Sequence, residues 1–282
     1  MGMQINTNLA ANNTYRNLNA TQNDLSKSLE KLSSGLRINR AADDAAGLSI
    51  SEGLRSQVGG LTVAARNAQD GISVVQTAEG GLTEVHSILQ RVRDLAVQAG
   101  NDSNNADARK AIGTEVTALT SELTRISAST NFNGINLLDK SAGAAKDGVM
   151  KFQVGAGGTP GADQISVDLS KADISAVADT VGDLLFDTAD NAQLAIVELD
   201  KQITAVSSVR SELGAVQNRF EHSIASTNVA KENLTAANSR IRDVDMAEEM
   251  VKYTRSNVLS QAGQAMLAQA NQSTQGVLSL LR

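Results

Sequence analysis

Apolar residues recur along this chain with the period of helices that pack in a seam. From Tyr15 the positions Leu18, Gln22, Leu25, Leu29, Leu32 and Leu36 follow at alternating gaps of 3 and 4. That spacing predicts a heptad seam on a helix of roughly 30 residues, weakened at its end by Ser33-Ser34-Gly35. The stretch 41–60, rich in Ala, Gly and Ser, reads as a short helix between turns. Leu61, Ala65, Ala68, Ile72, Val75, Leu82, Val85, Leu89, Val92, Ala96 and Ala99 predict a second long helix, interrupted at Gly80-Gly81. Gly100-Asn101-Asp102-Ser103 stops it, and Ile112, Val116, Leu119, Leu123 and Ile126 predict an antiparallel partner helix.

The middle changes period. Asn131-Phe132-Asn133-Gly134 is a turn signal, and alternation at Val149–Val154 and at Ile165, Val167 and Leu169 flanks the loop 155–161. This predicts a β-hairpin. From about 190 the helical period returns through Leu199, Ile203, Val206, Leu213, Phe220, Ile224, Leu234 and Ile241. It continues at Val244, Val251 and Val258, and again at Leu267, Ala270, Val277 and Leu281. The fold class expected is mainly α: a long-helix coiled-coil bundle with its terminal helices paired and a small β-hairpin insert.

Composition sharpens this picture. Aromatic residues make up 2% of the chain and Trp is absent, so a core must be built of small aliphatic side chains, which suits helix-on-helix packing. The single proline, Pro160, leaves both halves free for long helices. A net charge of −6 argues against a nucleic-acid partner. With no cysteine, disulfides and thiolate chemistry are excluded. No apolar run approaches the ~18 residues a membrane span needs, so no membrane insertion is expected. The start, Met1-Gly-Met-Gln-Ile-Asn-Thr-Asn8, lacks the charged and apolar regions of a cleavable signal, and export would need another route.

Candidate chemistry is sparse, and no catalytic, cofactor-binding or metal-binding residues are expected. His86 and His222 lie on separate predicted helices with no companion ligand. Ser28-Leu-Glu-Lys31 has the spacing of a nucleophile–lysine pair but no companion motif, and Gly155-Ala-Gly157-Gly158 lacks the strand–helix setting of a phosphate loop. Asp243-Val-Asp245 with Glu248-Glu249 lacks the glycine of a calcium loop and reads as a solvated helix face. The terminal helices carry too few apolar seam residues to offset the entropy of ordering them alone, which predicts folding on assembly.

At the ends the sequence resembles bacterial flagellin. The resemblance is carried by Ile5-Asn6-Thr7-Asn8 and by Leu32-Ser-Ser-Gly-Leu-Arg-Ile-Asn-Arg-Ala-Ala-Asp-Asp-Ala-Ala-Gly-Leu-Ser-Ile50. It continues in Gln69–Gly80, Asn131–Gly134, Leu213–Phe220, Ser239–Asp243, Leu267–Gln272 and Val277–Arg282. About 50 residues stand where many relatives carry large outer domains, so the likeness is to a minimal flagellin. It implies that 1–45 and 241–282 are filament-core helices. It also implies a helical rod of 46–140 and 190–240, with the hairpin and loop insert at 141–189. The implied assembly seam is Leu18, Leu25, Leu29, Leu32, Val251, Val258, Leu267, Val277 and Leu281. The implied function is a structural, non-enzymatic subunit of the flagellar filament, secreted to the cell exterior and serving motility.

The implied partners are other copies of the chain in a helical homopolymer, the flagellar type III export apparatus, a flagellin chaperone, the filament cap and hook-associated proteins. A host partner is implied too: Gln90–Gln98 resembles the segment by which some flagellins engage the Toll-like receptor for flagellin, with Arg91, Leu95 and Glu115 at the matching positions. Arg91 and Leu95, four residues apart, are expected to share a helix face. Two other readings remain open: a hook–filament junction protein, which shares similar end helices, and a cytoplasmic helical export chaperone.

Overall fold

The computed structural model describes residues 8–280, with side chains through Ser273. Helix α1, Leu9–Ser34, begins where the Asn8 carboxamide oxygen accepts a hydrogen bond from the Ala11 N–H. It ends at Gly35, whose φ of 71° is left-handed and whose N–H closes on the Lys31 carbonyl at 2.9 Å.

Helix α2 then runs unbroken over Ala45–Ala99. The expectation of a short helix over 41–60, and of a break at Gly80-Gly81, does not hold. Several of these glycines are packing positions. A Cβ on Gly81 would lie 2.8 Å from both Leu138 Cδ1 and Thr130 Oγ1, and one on Gly60 would lie 2.9 Å from the Ala156 Cβ. The helix gives up about 1 kcal/mol of propensity at each and gains close approach of its neighbours.

Helix α3, Ala106–Ser129, is capped by Asn105. The turn signal after it is a two-residue hairpin loop: β1, Asn131–Phe132, pairs with β2, Ile135–Asn136, across Asn133 and Gly134 at φ 52° and 78°. The predicted hairpin is β3, Val149–Gln153, antiparallel to β4, Gln164–Asp168, with Met150 opposite Val167 and Phe152 opposite Ile165. The insert also holds helix α4, Ile174–Gly182, capped by Asp173. Its buried Ile174, Val177, Ala178 and Val181 follow the helical period, which the reading of 141–189 as hairpin and loop passed over. Helices α5, Ala189–Arg242, and α6, Met246–Leu280, complete the chain.

The chain forms two compact units. One takes the chain up to Ser56 and from Asn233 onward; the other is Gln57–Glu232. Both divisions fall inside helices, α2 and α5. Helical hydrogen bonding continues across such a point while side-chain neighbours change, so the division leaves no break in the backbone.

The core of the Gln57–Glu232 unit is aliphatic, with Leu82, Val85 and Leu89 of α2, Leu123 of α3 and Leu199 and Leu213 of α5 all fully buried. Its most deeply buried aromatic ring, Phe220, lies edge-on to Phe152 with centroids 5.6 Å apart. The Asn67 carboxamide donates to the Gln153 carbonyl at 3.0 Å and so ties the hairpin to α2. The Ser170 hydroxyl and N–H hold the Asp168 carboxyl below its usual range at the end of β4.

Candidate assembly interface

Within the terminal unit, α1 and α6 run antiparallel. The Asn8 carboxamide donates to the Ala270 carbonyl at 2.9 Å, Leu18 approaches Gly263, and Leu36 forms a β-bridge with Asp243. The inward positions of α1 are Ala11, Thr14, Leu18, Thr21, Leu25, Ser28 and Leu32, in gaps of 3 and 4. Leu18, Leu25 and Leu32 thus lie on the inward face of α1. Between them Thr14, Thr21 and Ser28 face in, while Tyr15, Gln22 and Leu29 turn outward.

The facing positions of α6 are Glu249, Tyr253, Ser256, Ser260, Gly263, Leu267 and Ala270. Most are small or polar, because leucine knobs on one helix need shallow positions on the other. A Cβ on Gly263 would already stand 3.3 Å from Leu18 Cδ1. Leu267 is on this seam, but Val251 and Val258 are not: they are 60% and 59% exposed, and Leu29 is 51% exposed. The side chain of Val277, and all of Leu281, lie outside the described residues. Val251 and Val258 therefore stand on the outer face of α6. Around Met250, Val251, Thr254 and Arg255 that face forms an open hollow of about 400 Å³.

The segment that links α1 to α2 explains why its residues form a recognisable motif. Gly35 ends α1, and its carbonyl accepts from the Val244 N–H at 3.1 Å. The Arg37 N–H donates to the Arg242 carbonyl at 2.6 Å, and its guanidinium Nε and Nη2 donate to the Ile241 carbonyl at 3.1 and 2.7 Å. Carbonyls that the end of α5 would leave unpaired are thereby satisfied. Ile38 is fully buried, and Asp43 accepts from the Asn39 and Arg40 N–H groups, the Arg40 bond doing most to hold its carboxyl below its usual range. Asp44 caps α2 by accepting from the Gly47 N–H at 2.8 Å. Gly47 must be small, since a Cβ there would lie 2.8 Å from Ile38 Cδ1. An ion pair of 2.6 Å between Arg242 and Glu52 closes the arrangement. Sequence period alone missed Arg37, Ile38 and Gly47, because each acts through a contact distant in sequence or through the absence of a side chain.

In the Gln57–Glu232 unit, Arg91 and Glu115 lie on α2 and α3 as expected, exposed and joined at 2.6 Å. Leu95 does not share their surface. It is 2% exposed and belongs to the core with Leu89, Val92 and Ala96. Four residues advance a helix by about 40° beyond one turn, enough here to cross from the solvent side of α2 to its buried side. Of the two histidines, His86 pairs with Gln90 at 2.9 Å on the same helix, and His222 is exposed on α5.

Long helices whose terminal pair closes on a seam of small residues, with a small hairpin insert, define a mainly helical coiled-coil bundle. The comparisons specify the family. Residues 5–143 match the bacterial flagellin N-terminal helical region, and residues 196–281 the C-terminal helical region. A flagellin of Halalkalibacterium halodurans is 52% identical over 280 residues, covering 99% of this chain and 100% of that protein. A flagellin of Bacillus subtilis is 51% identical over 307 residues, with the same coverage. A solved Vibrio parahaemolyticus chain assigned to the flagellar hook-associated proteins has a TM-score of 0.55 at 14% identity, covering 71% of this chain and 100% of that one. That likeness is one of fold alone. The chain belongs to the bacterial flagellin family; it is a structural subunit of the flagellar filament and not an enzyme.

Proposed function

We propose that the terminal unit supplies the filament core. In this reading Leu18, Leu25, Leu32 and Leu267 hold α1 against α6 within one subunit, with Val277 and Leu281 continuing the spacing of Leu267 and Ala270, while Leu29, Val251 and Val258 pack against neighbouring copies. The observation that carries this is the exposure of Val251 and Val258 on α6, both more than half open to solvent, a surface that water disfavours and that repeated heterologous contacts would cover. Val258→Asp and Val251→Asp are expected to lower the sedimentable polymer by roughly tenfold or more, because a carboxylate would be buried unpaired. Unchanged melting of the subunit would show that the loss is one of assembly. Normal yields from both variants would remove these residues from the interface.

Family membership extends the proposal to the route. The chain leaves the cell unfolded through the flagellar type III export apparatus, escorted by a flagellin chaperone. It polymerises outside the cell beneath the filament cap, on hook-associated proteins. The terminal helices suit this order of events, since each gains most of its apolar burial from contacts with other segments. The alternative of a hook–filament junction protein is the weaker reading, because the two flagellins are matched along their full length at over half identity.

A second reading concerns a host. The exposed Arg91–Glu115 pair favours contact with the Toll-like receptor for flagellin, through charged groups and without Leu95 as a surface residue. Applied as monomer to reporter cells carrying that receptor, Arg91→Ala should signal less than the parent at equal concentration. Equal signalling by parent and variant would reject the contact.

A further inference from the structure

Helix α6 carries three methionines, Met246, Met250 and Met266, which are 48%, 52% and 64% exposed. Met246 and Met250 are one turn apart on one flank of the helix, and Met266, one heptad after the exposed Leu259, lies on the opposite flank, so the three thioethers border the outer face around Val251 and Val258 from both sides. Met150, the remaining methionine among the described residues, is packed against the core of the Gln57–Glu232 unit. A soluble subunit gains nothing from solvating three thioethers. An interface gains adaptable contacts from them, and the same atoms are chemically soft.

We propose that Met246, Met250 and Met266 form a modification site for a peroxide-class oxidant, which withdraws free subunits from assembly and spares subunits already in the filament. The proposal rests on the reading of the α6 outer face as an interface between copies. In the reaction a thioether sulfur lone pair attacks one peroxide oxygen, the S–O bond forms and the O–O bond breaks. The proton on the transferred oxygen passes to the departing oxygen, which leaves as water. Sulfur is oxidised by two electrons and hydrogen peroxide is reduced. The product is a polar, chiral sulfoxide where the interface needs an apolar, pliable side chain. In the polymer the neighbouring copy covers these sulfurs and slows the attack.

The test uses full-length subunit treated briefly with hydrogen peroxide to give a mixture of oxidised forms, then induced to polymerise and sedimented. Peptide mass spectrometry of pellet and supernatant gives sulfoxide occupancy at each methionine. Sulfoxide at Met246, Met250 and Met266 is expected to be depleted from the pellet by roughly tenfold, with no such partition at Met150. Methionine sulfoxide reductases acting on the supernatant should return it to the pellet fraction. Preformed filaments should accumulate these sulfoxides several-fold more slowly than monomer. Equal occupancy in pellet and supernatant would overturn the proposal. If Val258→Asp blocks polymerisation while the sulfoxides partition equally, the interface stands and the oxidation site falls; if Val258→Asp polymerises normally, the interface reading itself has failed.

Discussion

At Gly71 and Gly80, two glycines of the same helix have opposite reasons to exist. A Cβ on Gly71 would lie 2.6 Å from Cζ of the buried Phe220 ring, whereas one on Gly80 would meet nothing within 4 Å. Gly71→Ala should therefore destabilise the Gln57–Glu232 unit by about 1–3 kcal/mol through overpacking. Gly80→Ala should stabilise it by about 0.5–1 kcal/mol, because alanine is the better helix former and no neighbour objects. Denaturant titration of both variants checks the pair; equal signs would mean that the ring does not stand where the structure places it. The same contrast of visible and hidden causes holds at Leu95. Its apolar character was plain, but which side of α2 is the dry side is decided by α3, α5 and the insert packing on it.

Among the elements, the terminal helices show how far periodicity reaches. Leu18, Leu25 and Leu32 were legible as a seam because they repeat every seven residues on a helix with one apolar partner face. On α6 the apolar residues are split, Leu267 facing inward and Val251 and Val258 outward, and the partner face is otherwise written in Ser256, Ser260 and Gly263, residues without a hydrophobic signal. A helix whose partner face is mostly small and polar defeats a rule that looks for an apolar stripe. Leu25→Pro or Val258→Pro should remove the backbone hydrogen bond and break the terminal helix, at about 3 kcal/mol. Polymer yield is expected to fall to background in sedimentation, while the thermal transition of the Gln57–Glu232 unit stays within a few degrees of the parent. Filaments of normal yield from either variant would show that an intact α1 or α6 is not required.

For the whole molecule, the two units differ in what they bury. The Gln57–Glu232 unit has a continuous core of large aliphatic side chains drawn from four helices and the hairpin, whereas among the described residues of the terminal unit Ile38 is the largest side chain that is fully buried. A fragment of residues 57–232 is therefore expected to fold cooperatively and to remain unpolymerised under conditions that assemble the full chain. Circular dichroism melting and sedimentation check both halves of this statement, and polymer formed by the fragment would contradict the assignment of assembly to the ends. The sequence by itself determined the long helices, the hairpin, the heptad repeat of Leu18, Leu25 and Leu32 and the likeness to flagellin, because each is set by local period or by a run of adjacent residues. Only the tertiary structure decided that α2 is continuous through its glycines, that Leu95 is core, that Arg37 satisfies the end of α5 and that Val251 and Val258 face outward. Those outcomes depend on which surface of a helix another segment covers, and that is a property of contacts between residues far apart in the chain.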